Sequence, residues 1–190
     1  MKKMFTEKGS FGYLKNRRIY TAARTALFFL ISASLYIAGI KATGSNRNLL
    51  TIVAVLGCLP ACKSAVNCVL FLRAQGCSEE LYRKLSPFGK KLETFYDFYF
   101  TSYQKNYPVS HMALKGNILC GITQSPACDC QEAEKHLEQM LTREGIKGVT
   151  VNIFSQEDKY IDRLSRLCEM DVDDHKDRDG IVNLLYSISI

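Results

Sequence analysis

Two runs of apolar residues dominate the first 72 positions: TALFFLISASLYIAGI, Thr25 to Ile40, and LLTIVAVLGCLPACKSAVNCVLFL, Leu49 to Leu72, separated by the polar octet KATGSNRN. A helix rising about 1.5 Å per residue needs roughly 20 apolar residues to cross a hydrocarbon core of about 30 Å. The second run reaches that length. The first reaches it once Ala22, Ala23 and a snorkelling Arg24 extend it. No polar face interrupts Ala26 to Ile40, which argues against a half-buried helix of a soluble bundle. The long polar leader, residues 1–24, and the second run close behind argue against a cleaved signal peptide. The pattern predicts a transmembrane helical hairpin, 25–40 and 49–72, behind a leader too rich in glycine and lysine to form a helix.

Residues 73–190 alternate in a different way. GCSEELYRKL starts a helix capped by Ser78, with Glu79 and Glu80 in its first turn, and Ser86-Pro87 interrupts it. TFYDFYFTSYQ, Thr94 to Gln104, is β-branched and aromatic, and predicts a strand with Tyr96, Phe98 and Phe100 on one face and Phe95, Tyr99 and Tyr103 on the other. Such a strand, apolar on both faces, belongs inside a sheet; core packing outweighs an aromatic cage for a ligand. SHMALKGNILCGIT gives two strands joined at KGN, Gly116 supplying the positive φ. An Asp129-to-Glu132 capping box opens a helix that buries Ala133, Leu137, Met140 and Leu141, and Gly145 ends it. GVTVNIF is a strand. A Ser155-to-Asp158 box opens a helix burying Tyr160, Ile161, Leu164 and Leu167. IVNLLYSISI reads equally as helix or strand. The expected architecture is a hairpin followed by a small mixed-sheet cytoplasmic α/β (α+β) domain of order α-β-β-β-α-β-α.

Charge refines the placement. The net charge is +6, yet residues 1–24 carry seven lysines and arginines against Glu7 alone, while the chain from Arg73 onward has more acidic than basic residues. The basicity therefore follows the membrane flank, as the positive-inside rule and anionic headgroups require, and no nucleic-acid partner is expected. Lys41 and Arg47 alone are basic in the octet. Both termini are thus expected in the cytoplasm, in a multi-pass protein of the cell membrane. Eight cysteines in or facing a reducing compartment are expected to be free thiols.

Candidate chemistry is sparse. Cys128, Cys130 and His136 lack the second ligand pair a structural zinc site uses. HKDRDG places Asp177, Asp179 and Gly180 as a calcium loop would, but His175 and Tyr186 stand where oxygen ligands belong. His111 and Lys115, four apart on one strand face, read as a solvated edge. No metal, cofactor or catalytic residue is assigned. In the second apolar run, Gly57, Ala61, Ala65 and Cys68 form a small-residue stripe suited to close helix packing, against Ser34 and Ala38 of the first run. Lys63 and Asn67 point the other way, to snorkel or to make an intramembrane polar contact with a partner.

Two resemblances follow from these stretches. The basic leader, the hairpin with LPACKSAVN, and the segments FLRAQGCSEELYRKL and VNIFSQEDKYIDRLSRL resemble uncharacterised small two-span membrane proteins of Gram-positive anaerobic bacteria, which implies a bacterial membrane compartment and says nothing about activity. The order helix, three strands, helix, strand resembles the restriction-endonuclease-like core. That family needs an acid on the second strand and a Glu-x-Lys on the third to hold Mg²⁺. SHMALK and NILCGIT contain no carboxylate. The expected function is a membrane-anchored binding module, an adaptor or sensor, with the bilayer and a protein partner or a second copy as its contacts. The alternatives are a membrane-tethered enzyme with a degenerate nuclease-like fold and an oligomeric transport or pore element.

Overall fold

The computed structural model describes residues 7–45, 48–102, 105–171 and 177–190. The chain divides into two compact units, Leu14–Ala74 and a second formed by Gln75–Ile190 with the N-terminal segment up to Tyr13.

The first unit is a pair of long helices, α1 (Tyr13–Thr43) and α2 (Leu49–Arg73). Both are long and apolar enough to cross a membrane. Helix α1 begins well before the apolar run, which corrects the expectation of an irregular leader. The leader's glycines, Gly9 and Gly12, both have positive φ and precede the helix. From Tyr13 onward no glycine or proline interrupts good helix formers until Gly39. Asn48 caps α2, its side chain accepting from Thr51 N–H, and the helix continues through Pro60.

The second unit carries the expected elements in the expected order. Helix α3 (Glu79–Leu85) runs into a 3-10 turn at Ser86–Lys90, followed by β1 (Glu93–Thr101), β2 (Asn106–Lys115), β3 (Ile118–Ile122), α4 (Cys130–Arg143), β4 (Thr150–Phe154), α5 (Glu157–Glu169) and α6 (Arg178–Ile188). The sheet order is β1-β2-β3-β4, with the first two pairings antiparallel and β3-β4 parallel. A two-residue turn at Gly116-Asn117, with φ +56° at Gly116, joins β2 to β3. Helix α4 makes the crossover that a parallel pair requires.

Each sheet face has its own core. Phe95, Phe98, Val109, Met112 and Leu119 pack with Leu137 and Leu141 of α4 and with Ile181 and Leu185 of α6. On the other face Ala113, Cys120 and Ile122 pack with Leu81 and Leu85 of α3 and with Tyr160, Leu164 and Leu167 of α5. Burying each large side chain contributes roughly 1.5–3 kcal/mol, so these amphipathic helices are held mainly by their inner stripes.

Two local expectations are corrected and one open reading is resolved. In β1, Phe95, Phe98 and Phe100 share one core while Tyr96 lies against His111 on the opposite face. Simple alternation fails because Asp97 has φ +58°, which rotates the strand by one side-chain step between Tyr96 and Phe98. The pairing register is unchanged across the step, since Tyr96 opposes His111 and Phe98 opposes Val109. Tyr103 lies outside the described residues. Second, Ser155 does not cap α5; Gln156 holds the N-cap position without a side-chain bond. Third, the C-terminal stretch is both helix and bridge: α6 ends at Ile188, and Ser189 then pairs with Phe100 on the outer edge of β1.

Candidate functional site

Small residues and a fixed register build the hairpin. Thr25 Oγ1 lies 2.8 Å from Ser64 Oγ, and Arg18 Nε donates to Phe71 O at 3.2 Å. A Cβ added to Gly57 would stand 2.9 Å from Ser32 Oγ, and one added to Gly39 would stand 3.1 Å from Leu50 Cβ. These pairs all lie on one antiparallel register, each step up α1 matching one step down α2. On α2 the buried positions are Ala54, Ala61 and Ser64. With Gly57 and half-buried Cys68 they follow steps of three and four, the spacing of a packed helix pair. Ala65 is half-buried, at the flank of this seam. Ser34 and Ala38 are exposed, and the buried residues of α1 are Tyr13 and Leu14 at its start and Thr21, Ser32 and Gly39 along its length.

Outside the seam the chemistry is inverted relative to a soluble helix. Leu30, Ile37, Val55, Leu56, Leu59 and Val66 are all at least half exposed, while Ser32 and Ser64 are buried. Lys63 is exposed on this outer surface and Asn67 is half-buried.

In the α/β unit, the segments flanking the two long helices both close on adjacent residues of β1. Tyr96 N–H donates to Gly9 O at 2.7 Å, and Asp97 Oδ1 accepts from Cys77 N–H at 2.7 Å. The second approach requires a glycine, because a Cβ on Gly76 would stand 2.8 Å from the same Asp97 oxygen. Lys8 fixes the N-terminal segment by donating to Tyr186 O and Ser189 O, each at 2.6 Å, where α6 ends and a cation is favoured. Ser78 fixes the other, its N–H donating to Gln124 Oε1 and its hydroxyl accepting from Gln124 Nε2.

A chain of rings runs inward from this junction. Phe11 stacks on Tyr82 with centroids 4.1 Å apart, Tyr82 meets Tyr96 at 5.2 Å, and Tyr96 meets His111 at 4.6 Å. His111 Nδ1 is 2.6 Å from Tyr160 Oη, which in turn donates to Cys120 O at 3.5 Å. The arrangement that satisfies most groups runs Nδ1–H to the phenol and phenol to carbonyl, leaving Nε2 unprotonated. Nε2 is buried without a hydrogen-bond partner. Burial lowers the His111 pKa to about 3. Burial, then the Asp97 carboxylate, raises the Cys77 thiol to about 12, and burial raises Tyr96 to about 12.

The other sequence candidates are dispersed. His111 and Lys115 do share a face, but not a solvated one: Lys115 Nζ donates to Leu167 O at the end of α5. His136 on α4 lies against Tyr107. Cys130 is the first residue of α4, and all eight cysteines are free thiols. Among the described residues no three His, Cys, Asp or Glu side chains converge. Asp179, Gly180 and Tyr186 lie within α6, and His175 lies outside the described residues. An open depression of about 600 Å³ is bordered by Glu144, Ile146, Asp177, Asn183 and Ser187. Sequence reasoning did not reach the Gly9–Tyr96 and Cys77–Asp97 contacts. The one local signal was Asp97 itself, a lone carboxylate inside an aromatic strand.

Comparison with protein-family models, with curated proteins and with solved structures returns no match.

Proposed function

We propose that this chain is a multi-pass protein of the cell membrane whose hairpin anchors a cytoplasmic α/β domain that works by binding, as an adaptor or sensor. The observation that carries the reading is the inversion of the hairpin, with hydroxyl and small side chains inside and large apolar ones outside. Lipid tails solvate such a surface and water does not. Its helices are mostly unburied, only 11% and 17% of their most apolar windows, unlike core helices of a soluble protein. The seven basic residues of the leader, against two in the octet, support cytoplasmic termini.

A sensing role is supported by the junction on β1. Both flanking segments end on Tyr96 and Asp97, and the ring chain from Phe11 to Tyr160 passes from there into the core. Displacing either segment disturbs one strand and the buried histidine behind it.

Alkaline carbonate extraction and reporter fusions test the anchoring. The reading predicts a chain retained in the membrane pellet, a periplasmic reporter active after Gly44 and silent after Ile190. Release by carbonate, or activity at Ile190, overturns it. The second reading, a nuclease-like enzyme, is favoured by the order and directions of the four strands around α4. Mg²⁺-dependent cleavage of DNA by the full chain in proteoliposomes would establish it in place of a binding role.

A further inference from the structure

The hairpin register sets the depth of Lys63. Thr25 lies beside Ser64, Ser32 beside Gly57 and Gly39 beside Leu50, so Lys63 falls level with Ala26, about 3 Å along the axis from Arg24 at 1.5 Å per residue. The two cations also share a flank. Arg24 directly precedes seam residue Thr25, and Lys63 directly precedes seam residue Ser64. In antiparallel helices, a step of about 100° back from the seam turns both side chains to the same side of the pair. Asn67, one turn from Lys63, and Tyr20, one turn from Arg24, follow on that flank. Arg24 and Lys63 are exposed, and Tyr20 is 43% exposed. Arg24 Cζ stands over the Phe28 ring at 5.6 Å.

Above this level the flank is apolar. Leu59 and Leu56 stand one and two turns from Lys63, and Ile31 two turns from Arg24; all three are exposed. From Lys63 to Leu49 the helix rises about 21 Å, and from Arg24 to Ile40 about 24 Å. Both lengths fall short of a hydrocarbon core of about 30 Å by a distance that long cationic side chains cover by snorkelling. Two cations at one depth interrupt the apolar surface on this flank.

We infer that Arg24, Lys63 and Asn67 form a binding site for the headgroup phosphate of an anionic phospholipid, whose acyl chains lie along Leu59, Leu56 and Ile31. The inference rests on the proposed membrane anchoring. Charge complementarity selects the headgroup: two cations and one amide donor face a single flank, and the adjoining surface is apolar rather than aqueous. Inorganic phosphate satisfies the cations but leaves that surface uncovered.

The full chain, reconstituted in nanodiscs of phosphatidylcholine with a minority of phosphatidylglycerol, tests the site through native mass spectrometry of retained lipid. The wild type should hold phosphatidylglycerol roughly tenfold above its bulk ratio. R24Q/K63Q should fall to the bulk ratio, and K15Q/R73Q, which removes equal charge elsewhere, should keep the enrichment. Excess inorganic phosphate should leave it unchanged. Absence of enrichment in the wild type, equal loss in both double variants, or displacement by inorganic phosphate overturns the site. Helicity by circular dichroism confirms that each variant folds. Carbonate extraction separates the two claims: a chain that stays in the pellet without lipid preference loses only the site, whereas a released chain loses the anchoring itself.

Discussion

Thr25 Oγ1 and Ser64 Oγ stand 2.8 Å apart across the helical hairpin, a hydroxyl pair inside a structure whose outer surface is leucine, valine and isoleucine. Direct hydrogen bonds of this kind contribute on the order of 0.6 kcal/mol in a membrane, less than the close packing they accompany. Ser64→Ala should therefore be mild, and Ala61→Leu, at a position with no exposed surface, should cost about 1–3 kcal/mol by forcing the helices apart. Denaturant titration of the reconstituted chain ranks the two. Equal effects would place Ala61 outside the seam.

His111 makes stability depend on pH. Its folded pKa is lowered to about 3 by burial, against an ordinary value of 6.5. Between those values the unfolded chain binds the proton and the folded chain does not. Stability is therefore full above about pH 6.5 and falls as pH drops toward 3, by about 2 kcal/mol at pH 5. Carboxylates titrate mostly below that point, so urea titrations at pH 7 and pH 5 read the histidines, with His136, also lowered by burial, adding to the His111 effect in the same direction. His111→Gln should narrow the difference.

Asp97 joins a positive φ to a buried carboxylate that accepts from Cys77 N–H. Asn tolerates the left-handed conformation and keeps an acceptor, whereas Ala loses the acceptor and fits the backbone poorly. Asp97→Ala should cost about 2–4 kcal/mol and Asp97→Asn clearly less, read from chemical denaturation. Identical costs would show that the carboxylate charge, rather than shape, matters there.

The Cys77 thiol, raised to about 12 by burial and by the Asp97 and Glu157 carboxylates, should be a poor nucleophile in the folded chain. At pH 8 its thiolate fraction drops about a thousandfold, partly offset by the greater nucleophilicity of a more basic thiolate, leaving labelling by iodoacetamide roughly thirtyfold slower than in urea. Peptide mapping after timed labelling reads the ratio. Asp97→Asn should speed the folded reaction by removing a neighbouring charge.

Much of the fold is legible because its signals are local. Ser78 and Asp129 cap helices where their neighbours say so, and Gly116 turns the hairpin between β2 and β3. What escapes the sequence depends on register. A wheel at 100° per residue groups Gly57, Ala61 and Ala65, whereas the packed pair buries Ser64 because two helices in contact follow steps of three and four. The shared depth of Arg24 and Lys63 exists only once α1 and α2 are aligned. Asp97 breaks the alternation of β1 through one dihedral angle that the composition of the strand does not announce. His111 is called polar by residue type and lies in the core because Tyr160, 49 positions later, supplies its hydrogen bond.

The anchoring claim is tested most directly by single spin labels along α2 at Ile52, Val55, Leu56, Leu59, Lys63 and Val66 in lipid vesicles, with collision rates to oxygen and to a water-soluble nickel complex. Positions 52 to 59 should be reached by oxygen and shielded from nickel, with nickel access rising at Lys63. Nickel access at Val55, Leu56 and Leu59 equal to that of a label on exposed Glu138 of α4 would contradict the account.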